Sequence, residues 1–389
     1  MQLQKLTILK GYDVSKEEFL KANRNNELVR LGIHVTSAGC NLKCPYCLNA
    51  EGMHYIDNKL LEGGASVNEI KSWIDQAKEL NVRYVIIDGI YEPLLNMNDT
   101  LEILSYVREN NITPMLITNT LLLKEDTVKE LARLNVSILG KLNVPLVDKE
   151  NEKYDLFASI QNELTGCAYP DTYERLRKSI ELLIKYGFNE KVYNDQGNVT
   201  TRLGLETVVT PLNYEYIPEL AKQLRSLNIY MHAEMIKPQG GAQDDRFALS
   251  SSKVEELCNK VKENDRQMGI DSGELTPAYI TGKCLSHMGS FNININGDVI
   301  PCPSVEVIVG NLREQKMKDI IENSPEITIL RNLQENIKGD CKNCKLMKNQ
   351  DCYGGCRGYT YMFMRQKGYN KEEALTASDP SCWRVQNIS

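Results

Sequence analysis

The sequence predicts an α/β protein with a small cysteine-rich α+β unit behind it. Three observations carry that expectation. Between residues 31 and 263, strand-like runs rich in Val and Ile alternate six times with segments of helical period. Repeated βα units imply a parallel sheet with right-handed crossovers. Near residue 270 the rhythm stops, and Gly, Pro, Asn and Cys become frequent. A boundary is therefore expected there, with one domain over 1–270 and a second over 271–389.

The strand-like runs are Leu31–Thr36, Arg83–Asp88, Pro114–Thr118, Val136–Leu142, Arg202–Val209 and Ile229–Ile236. Helical periodicity covers Val67–Leu80, where Ile70, Trp73, Ile74 and Ala77 share one face, and then Asp99–Val107 and Glu125–Leu134. It returns in Thr172–Tyr186, Tyr214–Leu227 and Ser251–Glu263. The polar stretch Asp148–Asp171 has no clear period and is expected to be an insertion loop with a short helix. Beyond the boundary, Ser290–Ile300 has the pattern of a hairpin, with Asn296-Gly297 as a tight two-residue turn.

The chain has 389 residues, 42% hydrophobic and 25% charged, ordinary values for a globular protein with room for more than one core. A net charge of −6 gives no basic field to attract nucleic acid. Charged residues are interspersed, and no segment approaches the ~18 consecutive apolar residues of a membrane span. The amino-terminal stretch lacks the apolar core and cleavage site of a signal peptide. A cytoplasmic protein is expected, with neither membrane nor nucleic acid as partner. Twelve cysteines are a heavy load for that compartment, where disulfides are disfavoured, so they indicate metal or redox chemistry. Ten fall into two groups at opposite ends of the chain, leaving Cys167 and Cys258 isolated.

The first group is Cys40-Asn41-Leu42-Lys43-Cys44-Pro45-Tyr46-Cys47, a C-x3-C-x2-C run directly after the first strand. A [4Fe–4S] cluster takes one thiolate per iron. Cys40, Cys44 and Cys47 would therefore leave one iron open for a small molecule. The alternative is a zinc ion that borrows His34 or His54 as a further ligand. The run, with Tyr46 as its aromatic residue, resembles the signature of the radical S-adenosylmethionine (SAM) superfamily. The resemblance implies a partial (β/α)6 TIM-like barrel whose chemistry sits at the carboxy ends of the strands. It also implies that the open iron binds SAM, and that reductive cleavage of SAM yields a 5′-deoxyadenosyl radical that abstracts a hydrogen atom from substrate. A reducing partner of flavodoxin or ferredoxin type would supply the electron.

The second group runs Cys284-x12-Gly297-x4-Cys302, then Cys341-x2-Cys344-x7-Cys352-x3-Cys356, and ends at Cys382. This order is similar to the SPASM domain, the auxiliary-cluster module of many radical SAM enzymes. The spacing before Cys352 departs from it, having seven residues where the family usually has five. The resemblance implies that Cys341, Cys344, Cys352 and Cys382 hold one [4Fe–4S] cluster. Cys284, Cys302 and Cys356 would hold a second, one ligand short, making three clusters in all. Zinc ribbons are the alternative.

Asp88-Gly89-Ile90-Tyr91-Glu92-Pro93 follows the second strand, where the family has a GGEP motif that contacts the SAM amino group. Glu92 and Pro93 match. Ile90 and Tyr91 replace glycines, and Tyr91 is a candidate to face the substrate. Asn119, Ser137, Lys141, Asn143 and Glu206 lie on or just after the third to fifth strands, where the family contacts SAM. His232 and Glu234 alternate on the sixth strand and so share a face, as candidate acid/base groups. Cys167 is a candidate hydrogen-atom donor of the kind an epimerase needs. Cys258, on a helix beside Val254 and Leu257, has the setting of a small buried hydrophobe.

Enzymes with this domain pair mostly oxidise or crosslink peptides and proteins, the natural-product maturase type. A minority dehydrogenate or epimerise small molecules such as sugars and cyclitols. Only about thirty residues precede the first strand, too few for the leader-binding winged helix of many peptide maturases. Peptide modification stays ahead of small-molecule oxidation, since a partner could supply that domain. A non-catalytic iron–sulfur or zinc protein is a third reading, and an incompletely ligated cluster speaks against it.

Overall fold

The structure, a computed structural model, describes residues 3–35, 39–48, 64–88, 91–194, 196–243, 245–273, 276, 284–305 and 307–385. Six parallel strands lie side by side in chain order: β1 (Arg30–His34), β2 (Tyr84–Asp88), β3 (Thr113–Ile117), β4 (Ser137–Lys141), β5 (Leu203–Val209) and β6 (Tyr230–Met235). Helices connect them: α1 (Val67–Glu79), α2 (Met97–Glu109), α3 (Glu125–Arg133), α4 (Tyr154–Leu164), α5 (Thr172–Lys185) and α6 (Ile217–Ser226), with α7 (Ser251–Gln267) after β6. Apart from α4, each sits within a few residues of the run the sequence marks.

Local chemistry sets these elements. Ser66 accepts from the Glu69 amide, and the Glu69 side chain returns the bond, closing a capping box at the start of α1. Four turns from helix to strand share one device. Asn81, Asn111, Asn135 and Asn228 take left-handed φ values of 54° to 61° just before the Val or Ile that opens the next strand. Asn tolerates that conformation better than other residues with a side chain, so it ends the helix without glycine.

Alternation along the strands divides the core. Leu31, Ile33, Val85 and Ile87 point outward into the layer covered by helices, while Ile86, Met115 and Leu139 face inward. The sheet curves. Arg30 of β1 stacks on Tyr12, and Tyr12 also meets the rings of Tyr230 and His232 on β6. The first and last parallel strands thus approach each other without pairing, as a partial barrel requires.

Two local expectations change. The 148–171 stretch contains α4, which buries Phe157, Ile160, Gln161 and Leu164. The polar Gln161 hides this helical stripe in the sequence, yet it is fully buried, where its Oε1 accepts from the Asn143 amide at 2.8 Å. The predicted hairpin forms from β7 (Ser290–Ile293) and β8 (Asp298–Ile300). Its connection is a longer loop, because the Asn294 amide bonds the Asp298 carbonyl and Gly297 takes φ +85° beyond the turn.

The carboxy-terminal part is not detached from the sheet. β7 pairs in parallel with the free side of β1, and β8 and β9 (Gly310–Asn311) extend it, giving nine strands in one sheet. The seam is close-packed: a Cβ on Gly32 would lie 2.0 Å from Asn292 Oδ1. Among the described residues, no helix is long and apolar enough to cross a membrane.

α6 and α7 are tied by a buried ion pair between Arg225 and Asp265, whose side chains are 6% and 1% exposed. Replacing Arg225 with Leu leaves Asp265 buried without its charge partner, which costs about 3–5 kcal/mol. A denaturant titration of Arg225→Leu should show that loss, and Arg225→Leu/Asp265→Leu should recover much of it.

Candidate active site

The inward faces of the strands enclose a cavity of about 360 Å³. Cys44, Tyr46 and Cys47 line one side, and Cys284, Cys302 and Cys356 line it from the carboxy-terminal part. Lys141, Glu206, His232 and Glu234 face it from β4, β5 and β6. The cysteine groups, far apart in sequence, therefore open onto one volume.

The loop carrying Cys40, Cys44 and Cys47 is held by backbone packing. The Lys43 amide donates to Thr165 O at 3.2 Å, and the Gly241 amide donates to Cys47 O at 2.9 Å. Gly166 and Gly240, both at positive φ, touch the loop on these two sides. A Cβ on Gly166 would lie 1.9 Å from Lys43 O, and one on Gly240 would lie 2.3 Å from Leu48 O and 2.4 Å from Cys47 O. Neither close approach is open to another residue.

Side chains complete the setting. Asn119 Nδ2 donates to Asn41 Oδ1 at 2.6 Å and reaches Cys40 Sγ at 3.8 Å, while the Leu42 amide points at the same sulfur at 3.4 Å. The Tyr46 ring packs edge-on against Phe247, has Lys141 Nζ 5.6 Å above its centre, and its hydroxyl accepts from Asn143 Nδ2 at 3.4 Å. Burial pushes the Cys40 and Cys44 thiols up to about 12, with the Lys141 charge opposing it at Cys44.

Glu92 is buried and already engaged. Oε1 accepts from Thr118 Oγ1 at 2.6 Å and the Leu94 amide at 3.1 Å, and Oε2 accepts from the Asn119 amide at 2.7 Å. It braces the ends of β2 and β3, and its own amide bonds Gly39 O beside the cysteine loop. Pro93 opens a short 3-10 turn, and Tyr91 is buried. Gly89, Ile90 and His54 lie outside the described residues. Ser137 is fully buried at the start of β4 and does not line the cavity. Cys167 is exposed at φ +51°, away from the cavity, in the turn that supports Lys43. Cys258 is fully buried. His34 Nε2 sits 3.2 Å from Asp88 Oδ1.

A charged network spans the cavity wall. Lys141 Nζ is 3.2 Å from Glu206 Oε2. Lys237 Nζ donates to Glu234 Oε2 at 2.6 Å, and His232 Nε2 is 3.0 Å from Glu234 Oε1. Burial works to raise the Glu234 pKa, but the Lys237 charge and the His232 bond outweigh it and hold the carboxyl well below its usual range. An ionised Glu234 requires the proton on His232 Nε2. Nδ1 lies 3.3 Å from Tyr230 Oη. Ligand atoms of Glu206, His232 and Glu234 lie within 4.8 Å of one another.

The carboxy-terminal cysteines fall into two neighbourhoods. Burial pushes Cys302 up to about 11 and Cys356 to about 12; each also feels Cys284 and Lys237. Cys352 and Cys382 are likewise raised by burial, and both feel Cys341, which shares a small apolar cluster with Cys344. Asp379 stands between the groups, with Oδ2 accepting from the Cys356 amide at 2.8 Å and its carbonyl accepting from the Cys382 amide. Backbone N–H groups face several sulfurs, including Tyr359 to Cys356 at 3.3 Å. Among the described residues, no three thiols converge within 4.8 Å. A single tetrahedral zinc with Zn–S bonds of about 2.3 Å would draw its sulfurs closer than that. The backbone N–H donors at the sulfurs suit iron–sulfur clusters.

A family model described as the radical SAM superfamily matches residues 34–224, and one described as an iron–sulfur cluster-binding domain, SPASM, matches residues 284–345. The chain belongs to the radical SAM superfamily and carries a SPASM domain. It is an enzyme of that superfamily, and its cofactors are [4Fe–4S] clusters and SAM. It is similar to the AdoMet-dependent heme synthase of Methanosarcina barkeri, 25% identical over 350 residues that cover 84% of this chain and 90% of the relative. It is also 25% identical to the PqqA peptide cyclase of Gluconobacter oxydans, over 82% of each chain. Among solved structures, Streptococcus suis SuiB bound to the precursor peptide SuiA has the same fold, with a TM-score of 0.63 at 21% identity over 93% of this chain and 78% of SuiB.

Sequence reasoning missed Tyr12, Arg30 and His287 on the cavity wall, and it gave Lys237 no role. The signal for Arg30 was present: in Arg30-Leu31-Gly32-Ile33-His34 the polar residues alternate with apolar ones and fall on the inward face.

The glycine clamp makes a test. Gly240→Ala forces a methyl group into the Cys47 and Leu48 carbonyls at a left-handed φ. Iron retained after anaerobic reconstitution should fall, with the loss confined to the signal that responds to SAM in electron paramagnetic resonance.

Proposed function

We propose that this radical SAM enzyme oxidises or crosslinks a peptide, in the manner of a natural-product maturase. One observation carries the reading: a single cavity has the Cys44/Cys47 loop on one side, the Cys284/Cys302/Cys356 group on another, and an ordered His232–Glu234 pair on its wall. Cys40, Cys44 and Cys47 would hold the SAM-binding cluster. Cys284, Cys302 and Cys356 would hold one auxiliary cluster, and Cys341, Cys344, Cys352 and Cys382 the other. When bound, these groups supply a 5′-deoxyadenosyl radical that takes a hydrogen atom and an acceptor for the substrate's remaining electron.

The chain's own residues do the rest. Tyr46, Asn119, Lys141, Asn143 and Glu206 bound the SAM side, and Glu92 fixes the strand ends that carry Asn119. Loss of a hydrogen atom and an electron leaves the substrate with one proton to release. His232, whose Nδ1 lies 3.3 Å from the Tyr230 hydroxyl on the cavity wall, is the imidazole placed to take that proton. Glu234 would stabilise the resulting imidazolium through Nε2, and Lys237 keeps Glu234 ionised.

A peptide substrate is supported by the likeness to the PqqA peptide cyclase and, for the fold, to peptide-bound SuiB. A flavodoxin- or ferredoxin-type partner would supply the reducing electron in the cytoplasm. A second reading, small-molecule dehydrogenation or epimerisation, is favoured by the cavity volume, which lies at the lower end of the ~300–1,000 Å³ typical of small-ligand sites.

Anaerobic reconstitution with dithionite tests the class. About twelve irons per chain and formation of 5′-deoxyadenosine are expected, as three cubanes require. Cys44→Ala should abolish SAM cleavage while about eight irons remain. Bound zinc without SAM cleavage overturns the reading.

Lys237 gives an independent measure, because its charge reaches both Cys302 and Cys356. Removing a positive charge beside a cluster makes it harder to reduce. In Lys237→Met, redox titration followed by electron paramagnetic resonance should show a more negative midpoint for one auxiliary cluster and no change at the SAM-responsive one.

A further inference from the structure

Among the described residues, Arg30 is a buried cation without a counter-ion. It lies on β1 with only 8% of its surface exposed, and it lines the cavity. Three other polar pairs line the same cavity: Lys141 with Glu206, Lys237 with Glu234, and His34 with Asp88. Among the described residues Arg30 has no ion pair and no side-chain hydrogen bond, and its Nε is buried without an acceptor. Its guanidinium carbon sits 5.2 Å from the ring centre of Tyr12 and 5.0 Å from that of Phe19. Ring stacking offsets part of a buried charge, about 2 kcal/mol when desolvated, and leaves the N–H edge unsatisfied. A buried charge without a partner costs several kcal/mol. Such a group persists where a ligand supplies the missing charge.

The surroundings define the ligand. Across the strand seam, Ser290 is the register partner of Arg30, and its hydroxyl is also buried without a partner. His287, one turn before Ser290, has an unpartnered Nδ1. Burial, aided by the Arg357 charge, holds its pKa down at about 3, so the ring is neutral at pH 7. Ile86, Ile117 and Leu139 supply apolar surface along the same cavity. The site therefore offers one planar donor fork, a hydroxyl and an apolar wall. A carboxylate fits the fork in two-point fashion.

We propose that Arg30, with Ser290 beside it, binds a carboxylate of the substrate at the amino-terminal end of the barrel strands. The inference rests on the reading above only in taking the cavity as the substrate chamber. The cysteine loop lies beyond the opposite end of β1. Four residues of strand at about 3.3 Å each separate Arg30 from His34, roughly 13 Å. The carboxylate would thus anchor the substrate by an end remote from the carbon that reacts.

The test reads binding and needs no turnover. Iron-loaded protein is titrated anaerobically with N-acetylglutamate α-amide, N-acetylalanine and butyrate, with butyramide as the neutral control, and the shift in Tm is followed. At least one carboxylate should raise the Tm saturably, butyramide should not, and Arg30→Met should weaken the binding at least tenfold. SAM affinity should be unchanged in the variant. Arg30→Met should also lose no stability without ligand, since it removes an unpaired buried charge. Preference for the glutamate derivative marks an acidic side chain in a peptide, for N-acetylalanine a chain terminus, and for butyrate a small molecule. If Arg30→Met does not fold, Arg30→Lys, which keeps the charge and loses the fork, should show the same weakening. No shift in the wild type, equal shifts in the variant, or a loss confined to SAM affinity overturns the proposal. Loss of SAM cleavage in the loaded wild type would instead overturn the functional reading, so the two failures are distinguishable.

Discussion

Close backbone contact around the loop from Cys40 to Cys47 is the constraint on which the rest of the site depends. Three sulfurs in eight residues can face one volume only if the loop is fixed, and a short loop has few internal bonds to fix it. The fold supplies the restraint from outside. Gly166 closes on Lys43 from the end of α4, and Gly240 closes on Cys47 and Leu48 from the loop after β6. Both glycines adopt left-handed φ, and both approach carbonyl oxygens more closely than a Cβ could. Asn119 and Leu42 then aim N–H groups at Cys40. The insertion with α4 is therefore part of the site's support, although Cys167 in its turn is exposed.

Continuity of the sheet explains how the two cysteine groups meet. β7 pairs with β1, so the carboxy-terminal part begins as the neighbour of the strand that leads into the first cysteine loop. The seam tolerates no Cβ at Gly32, where Asn292 occupies the space, and this fixes the separation of the two parts. Cys284, Cys302 and Cys356 consequently face the cavity from across β1. A cluster held by these thiols would place an electron acceptor on the wall of the same chamber.

Charge is distributed unevenly over that wall. Near the cysteine loop, Lys141–Glu206 and Lys237–Glu234 are closed pairs, and His232 sits between Tyr230 and an ionised Glu234. These groups are preorganised, since each has its partner before any ligand arrives. At the amino-terminal end of the strands the opposite holds. Arg30 is buried against rings, with Ser290 and His287 also unsatisfied. On the proposed reading, one end of the chamber would move a proton and the other would receive a charge.

The sequence by itself determined the chemistry class and the order of the elements. Cysteine spacing is local and covalent, so Cys40, Cys44 and Cys47 could be read as ligands of an open-sided cluster, with zinc as the alternative, without any knowledge of packing. The period of apolar residues placed the six βα units within a few residues, because burial on one face is written directly into the chain. What local pattern could not carry was decided by tertiary structure. Gln161 looks like a surface residue until the Asn143 amide comes to it. Glu92 reads as a ligand contact, yet its oxygens accept bonds from Thr118 and Asn119 at the neighbouring strand end and from Leu94 in its own turn. Arg30 looks like an ordinary charged residue at a strand start, and only the curved sheet buries it, with no ion-pair partner among the described residues. Which charges are neutralised depends on distances between residues remote in sequence, and those distances exist only after the strands have been brought into register.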